Sequence, residues 1–214
     1  MLFRSPAKQR DQECSQSLHT LSAHMGATKP LPIASPELHT ALLKLHRGKT
    51  SGASGMSNEF LLAAAQHTEG EHLLLQALND MFLQGNFHPD LTRGVACLIP
   101  KIQQAKTAND IRPILLLEVL QKVFCRILMT RLQPLWCPLF AQLGAVPGGQ
   151  AIEALFAAHS MMSIAKVMHK HYLFIKMDLK GAFDNLKHAS VAQFLASLPP
   201  SAAWEAKRLL QLLL

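Results

Sequence analysis

The chain has 214 residues, 49% of them hydrophobic and 16% charged, so it can bury a core and is too apolar to be mainly disordered. Its net charge of +7 favours a polyanionic partner. The four cysteines lie far apart and no apolar stretch reaches membrane-spanning length, which favours an intracellular chain, nuclear or cytoplasmic, over a disulfide framework, a zinc site or a membrane protein.

The first part of the chain is predicted to be helical after a polar start. Residues 1–34 are rich in Ser, Gln, Lys and His with little periodicity, which predicts a mobile, disordered lead-in. A helix is predicted from Ser35, with a proline and an acid in its first turn, to a stop at Gly48. A Gly/Ser loop follows at 49–56, and two more helices come after it, the second ending at Gly85.

The middle of the chain carries most of the surplus positive charge. Between Arg93 and Arg131, seven Lys or Arg stand against two acids, a balance of +5. Alternation predicts a strand over 93–100, and apolar spacing predicts a long helix with Lys122, Arg126 and Arg131 facing solvent. These three side chains form a candidate nucleic-acid-binding surface, and solvated helix faces without a ligand are the alternative.

The last part of the chain contains the candidate metal ligand. A helix is predicted from 151 to about 168, a strand over 171–177, and then two helices split by a pair of prolines. Asp178 ends that strand directly before a Lys-Gly turn, where an unpaired carboxylate is costly to bury and well suited to Mg²⁺. A helix cap or a turn former is the alternative for a single Asp there. Asp184 would be a second ligand only if the intervening turn faced it the same way.

Several motifs then occur in a recognisable order. Asp178, Ala182, Phe183 and Asp184 form the pattern Asp-x-x-x-Ala-Phe-Asp after an apolar strand, which resembles the first catalytic motif of reverse transcriptases from non-LTR (LINE-like) retrotransposons and group II introns. Other segments resemble that family's motifs in the family's order. They are the glycine-bearing loop 48–55, Ile-Pro-Lys at 99–101, Arg-Pro-Ile at 112–114, Lys122, Arg131-Leu132, Gln142-x-Gly144 and the stretch 151–156. Together they cover roughly residues 37 to 198.

The resemblance implies a fold and an activity. The fold is α+β: a mostly helical fingers region at 35–140, then the start of a palm at 141–214, which together make a truncated right-hand polymerase fold. The activity is that of an RNA-directed DNA polymerase, a nucleotidyltransferase that adds dNTP to a DNA primer on an RNA template with two Mg²⁺ ions. One ion activates the primer 3′-hydroxyl and the other holds the incoming triphosphate.

The resemblance also assigns roles to individual residues. Asp178 is the catalytic metal ligand through its carboxylate, and Leu179 binds metal through its backbone carbonyl. Lys101 and Arg112 clamp the dNTP triphosphate, and Phe183 lies beneath the sugar and excludes a 2′-hydroxyl. Surface cations and a plain core aromatic are the alternatives for the last three. If the resemblance holds, Lys101, Arg112, Asp178 and Phe183 surround one cleft.

The chain departs from the family pattern at several positions. Ser54 stands where the family usually has Asp, Ala145 stands where Phe usually follows Gln-x-Gly, and Ile111 stands where an aromatic often precedes Arg-Pro. The 214 residues contain no aromatic-x-Asp-Asp motif, which supplies the remaining carboxylates in the family. We therefore expect a truncated, inactive and poorly stable reverse transcriptase domain of a retroelement. The alternative is a non-enzymatic, basic nucleic-acid-binding protein derived from such a domain.

Overall fold

The computed structural model describes residues 7–104, 106–136, 142, 144, 146, 148–179 and 185–214, and it gives only the backbone of residues 7–10 and 109. These residues form two compact units. The first unit combines Met1–Leu135 with Lys187–Leu214, and the second is Trp136–Leu186. The first unit is therefore discontinuous in sequence.

The first unit is mainly helical. Its helices are α1 (Ala7–Gly26), α2 (Ser35–Leu42), α3 (Asn58–Ala64), α4 (Thr68–Asn79), α5 (Pro89–Thr92), α6 (Val119–Leu132), α8 (His188–Ala196) and α9 (Ala203–Leu213). It also contains two strands, β1 (Val95–Pro100) and β2 (Ile111–Leu116). The second unit contains one described helix, α7 (Ala151–Val167).

Helix α6 is the centre of the core, and its sequence explains why. Val123, Phe124, Ile127 and Leu128 recur at the spacing of one helix face and are almost completely buried. They pack in one cluster with apolar residues of α2, α3 and α4, of which Leu38 is an example. Burial of each such side chain contributes about 1.5–3 kcal/mol to folding. The predicted apolar face of this helix is confirmed.

The N-terminal segment differs from its prediction. The sequence predicts a disordered lead-in over 1–34, whereas α1 spans twenty of these residues and packs against α8 and α9. Cys14, Ser17 and Leu21 lie on one face of α1, and all three are buried. This buried face is narrow and partly polar, so the sequence of α1 shows little hydrophobic periodicity. The face can be recognised only from its packing against α8 and α9, which lie at the other end of the chain.

The end of α4 is closed by an arginine from α9. The helix widens into a π-turn over Asp80–Gln84 and stops at Gly85, which has a φ of 73°. Arg208 donates hydrogen bonds to the carbonyls of Phe82 (2.6 Å) and Leu83 (2.8 Å), and its side chain is buried. These carbonyls have no partner within the helix, so Arg208 satisfies groups that would otherwise be buried and unpaired.

The two strands form an antiparallel hairpin. The register pairs Val95 with Leu116 and Ile99 with Arg112. The strand predicted over 93–100 is confirmed as β1, whereas β2 is absent from the prediction. Pro113 is the reason, since proline argues against a strand; here it stands opposite Leu98 in a two-stranded ribbon, where an edge position tolerates it.

The second unit confirms one predicted helix and lacks the predicted strand. The helix α7 has the predicted extent, but none of its side chains is buried. The segment 171–177 has no regular secondary structure, and Leu173 and Met177 are more than four-fifths exposed. A strand needs a hydrogen-bonded neighbour, and among the described residues none pairs with this segment.

The units also differ from the predicted division at residue 140. The helices α8 and α9, predicted as part of a palm region at 141–214, belong to the first unit. Leu210 on α9 is completely buried, whereas the terminal Leu214 is 59% exposed. Among the described residues, no helix has both the length and the apolar character needed to cross a membrane.

Candidate nucleic-acid and nucleotide interface

Two of the predicted nucleic-acid-binding side chains, Lys122 and Arg126, lie one turn apart on α6. The opposite face of the helix is buried, so Arg126 remains exposed and Lys122 half-buried. Within the described part of the chain, neither side chain takes part in an ion pair. Both positive charges are therefore accessible to an anionic ligand.

Arg131 is turned inward, although the sequence predicts that it faces solvent. Its side chain is 12% exposed, and all five N–H donors are used within the protein. Nε and Nη2 donate to the two carboxylate oxygens of Glu37 (2.6 and 2.8 Å), and Nη1 donates to Glu205 (3.0 Å). The same guanidinium donates to the carbonyls of Leu31 (2.7 Å) and Pro32 (3.0 Å).

This arrangement gives Arg131 a structural role. A forked guanidinium that binds two carboxylates has no donor left for a phosphate oxygen. Its hydrogen bond holds the pKa of Glu37 below the ordinary value, against the opposing effect of partial burial. The guanidinium also lies 5.1 Å from the centre of the Phe82 ring. The basic surface of α6 is therefore formed by Lys122 and Arg126 without Arg131.

The hairpin brings the two predicted triphosphate ligands close together. Arg112 stands opposite Ile99, and the ladder continues by one residue because the Lys101 N–H donates to the carbonyl of Asp110 (2.6 Å). Lys101 directly follows the end of β1 and lies diagonally across the ladder from Arg112, where backbone positions in a sheet are typically about 7–8 Å apart. Both residues are exposed.

The loop of the hairpin is stabilised by Asp110. Its carboxylate accepts hydrogen bonds from the Thr107 hydroxyl (2.9 Å) and from the backbone N–H groups of Thr107 and Lys106. These bonds, with the nearby charge of Lys101, lower the pKa of Asp110. The turn therefore sets the strand register, and the register sets the positions of Lys101 and Arg112.

The glycine-bearing loop is attached to the start of α6 by a buried carboxylate. The sequence does not predict this contact. Glu118 is 3% exposed and accepts hydrogen bonds from the Ser54 N–H (2.7 Å) and the Ser54 hydroxyl (2.6 Å). A Cβ at Gly52 would lie 2.6 Å from the Glu118 carboxylate, so only glycine allows this approach. An Asp at position 54 would place a second carboxylate against Glu118, so this contact favours the Ser that the chain has there.

The remaining predicted site residues belong to the second unit. Asp178 and Leu179 lie in an exposed segment without regular secondary structure, and Leu179 is 79% exposed. Phe183 and Asp184 lie outside the described residues. Since Lys101 and Arg112 belong to the first unit, the shared cleft stays a prediction.

The described residues do not form a two-metal site. Asp178 contributes one carboxylate and Leu179 one carbonyl, whereas two ions bridged in an active site need several oxygen ligands. Across the described ranges, no group of three or more His, Cys, Asp or Glu side chains could hold a metal ion.

No protein-family model matches the chain. Over 159 residues the chain is 25% identical to the transposon TX1 uncharacterized 149 kDa protein of Xenopus laevis. The similar stretch covers 73% of this chain and 12% of that protein, so the chain spans a small part of its relative's length. This distant similarity indicates a transposon-derived origin.

Proposed function

We propose that the chain carries the fingers and the first palm motif of a reverse transcriptase domain from a retroelement. The diagonal placement of Lys101 and Arg112 at the loop end of the hairpin is the observation that carries this proposal. The order of the motifs and the similarity to a transposon protein support it. In the complete domain, the substrates are dNTP, a DNA primer and an RNA template, with Mg²⁺ as the cofactor.

The chemistry of the hairpin face fits a triphosphate. The Arg112 guanidinium donates two parallel hydrogen bonds to phosphate oxygens, and the Lys101 ammonium adds a compact charge within one triphosphate length. Asp178 and Leu179 are the proposed metal ligands, and Phe183 is the proposed steric gate beneath the sugar. The 214 residues lack an Asp-Asp pair, so we propose that they bind nucleotide and nucleic acid without polymerising.

A binding assay tests this proposal. Titration of the full chain with dATP and MgCl₂ is expected to show binding that Lys101→Gln or Arg112→Lys weakens by roughly tenfold, since each loses a charge-assisted hydrogen bond. Two matched substitutions at neighbouring cations, Lys106→Gln in the hairpin loop and Arg93→Lys before β1, are expected to leave the affinity unchanged. Equal effects of both sets would refute the triphosphate assignment.

The second candidate function is nucleic-acid binding without catalysis. The accessible charges of Lys122 and Arg126 and the net charge of +7 favour it. Binding of single-stranded RNA without any binding of dATP would favour this alternative over the polymerase-derived nucleotide site. The affinity for RNA is expected to fall as the salt concentration rises, because bound phosphates release counterions.

A further inference from the structure

A groove of about 380 Å³ lies between α2 and α6. The helix α2 lines it with Thr40 and the turn that follows with Lys44, while α6 contributes Arg126 and Thr130. Its volume falls within the range of pockets that bind small ligands. Both walls belong to the first unit, so the groove is part of one packed body.

The groove is electropositive because of how its charges are paired. Within the described part of the chain, neither Lys44 nor Arg126 has an ion-pair partner. Glu37 supplies the only carboxylate among the lining residues of this groove, and Arg131 binds both of its oxygens. Glu37 is therefore already paired, and the groove keeps an excess of positive charge that favours an anion.

The hydroxyl protons of the two threonines in the groove are already used in hydrogen bonds. Thr40 donates to the Pro36 carbonyl (2.7 Å), and Thr130 donates to the Arg126 carbonyl (2.9 Å). Both hydroxyls are thus held along their own helices. The forked guanidinium of Arg126 and the ammonium of Lys44 are the charged donors of the groove, a combination suited to phosphate oxygens, and the exposed Gln133 amide is a neutral donor beside them.

Two more positively charged residues follow the groove residue Lys44 in the sequence. Arg47 and Lys49 follow Lys44 within the same connection between α2 and α3, and both are exposed. The connection then reaches the glycine-bearing loop attached to Glu118. A run of positive charges of this kind follows a nucleic-acid backbone better than a single free phosphate.

We propose that the groove between α2 and α6 binds one phosphate of a single-stranded nucleic acid, with Lys44 and Arg126 as its direct ligands. This inference rests on the proposed nucleic-acid binding and names its site. It adds Lys44, which the clustering of charge along the sequence does not reveal, because the helix packing alone places it beside Arg126.

Fluorescence anisotropy with the full chain and a labelled single-stranded RNA of roughly 20 nucleotides tests the site. The double variant Lys44→Ala/Arg126→Ala is expected to bind roughly tenfold more weakly, with a salt slope smaller by about 0.7, the value for one phosphate. The control variant Lys29→Ala/Arg93→Ala removes the same charge elsewhere and is expected to change the affinity by less than about threefold. Far-UV circular dichroism verifies that both variants are folded.

The outcomes separate this inference from the proposed function. Equal weakening in both double variants would refute the groove and leave nucleic-acid binding intact. No binding by the unsubstituted chain would overturn both. Competition by inorganic phosphate at the same phosphate concentration as the RNA would refute a nucleic-acid ligand and assign the groove to free phosphate.

Discussion

Replacing Arg131 by Met is expected to destabilise the first unit strongly. The substitution preserves most of the aliphatic volume but removes five hydrogen bonds, three of them to carboxylates. It leaves the Glu205 side chain, 11% exposed, and the Glu37 side chain, 32% exposed, without their cation. Loss of one partner from a buried ion pair costs 3–5 kcal/mol, and the partial exposure of Glu37 places the expected loss near the lower limit, about 3 kcal/mol.

Thermal unfolding measures this loss. For a chain of this size, about 3 kcal/mol corresponds to a Tm lower by roughly 6–12 °C. The control is Arg126→Met on the same helix, because that side chain is exposed and its removal breaks no ion pair within the described residues. Its expected change in Tm is below about 2 °C. Equal shifts for the two variants would refute the structural role of Arg131.

The Glu37 carboxylate gives the first unit a pH dependence. The pKa of Glu37 lies below the ordinary value of 4.5, so the contribution of its carboxylate to stability is complete above that pH and is lost as the pH falls through the lowered pKa. The variant Glu37→Gln is therefore expected to show a flatter decrease in Tm between about pH 5 and about pH 3 than the unsubstituted chain. Parallel curves of Tm against pH for the two proteins would contradict this. Ser54→Asp is expected to cost about 2 kcal/mol in urea unfolding, because it sets a carboxylate against buried Glu118, whereas Ser54→Thr keeps the hydroxyl and serves as the control. Gly52→Ala is expected to release the loop and to speed its limited proteolysis, and unchanged cleavage would argue against the close approach. Primer extension by the 214-residue chain is expected to be absent with Mg²⁺ or Mn²⁺, since Asp178 alone cannot hold two ions, and processive dNTP incorporation would disprove this.

Periodic elements with a strong apolar face could be predicted from the sequence. The buried side of α6 and the extents of β1 and α7 follow from local spacing, because each signal lies within one element. The structural role of Arg131 could not be predicted, since its carboxylate partners are 94 and 74 residues away along the chain. Without those partners, an arginine on the polar side of a predicted helix resembles any solvated cation.

The same difference between local signals and long-range contacts applies to the candidate site. The motifs at 99–101 and 112–114 identified Lys101 and Arg112, but only the strand register places them as diagonal neighbours. The strand β2 escaped prediction because Pro113 argues against a strand in any local reading. The segment 171–177 shows the converse: its alternation satisfies the pattern of a strand, yet the described residues offer it no neighbour with which to pair.

The discontinuity of the first unit has a consequence for its synthesis on the ribosome. Trp204 donates a hydrogen bond to the Thr28 carbonyl, and Arg208 closes the π-turn at Phe82, so α9 completes contacts with segments translated much earlier. The nascent chain must extend through all of 136–186 before those partners emerge. Until then the buried face of α1 lacks its partners α8 and α9, and such long-range closure is slow. An apolar helix face that stays exposed in this way favours aggregation of the nascent chain until α9 has been made.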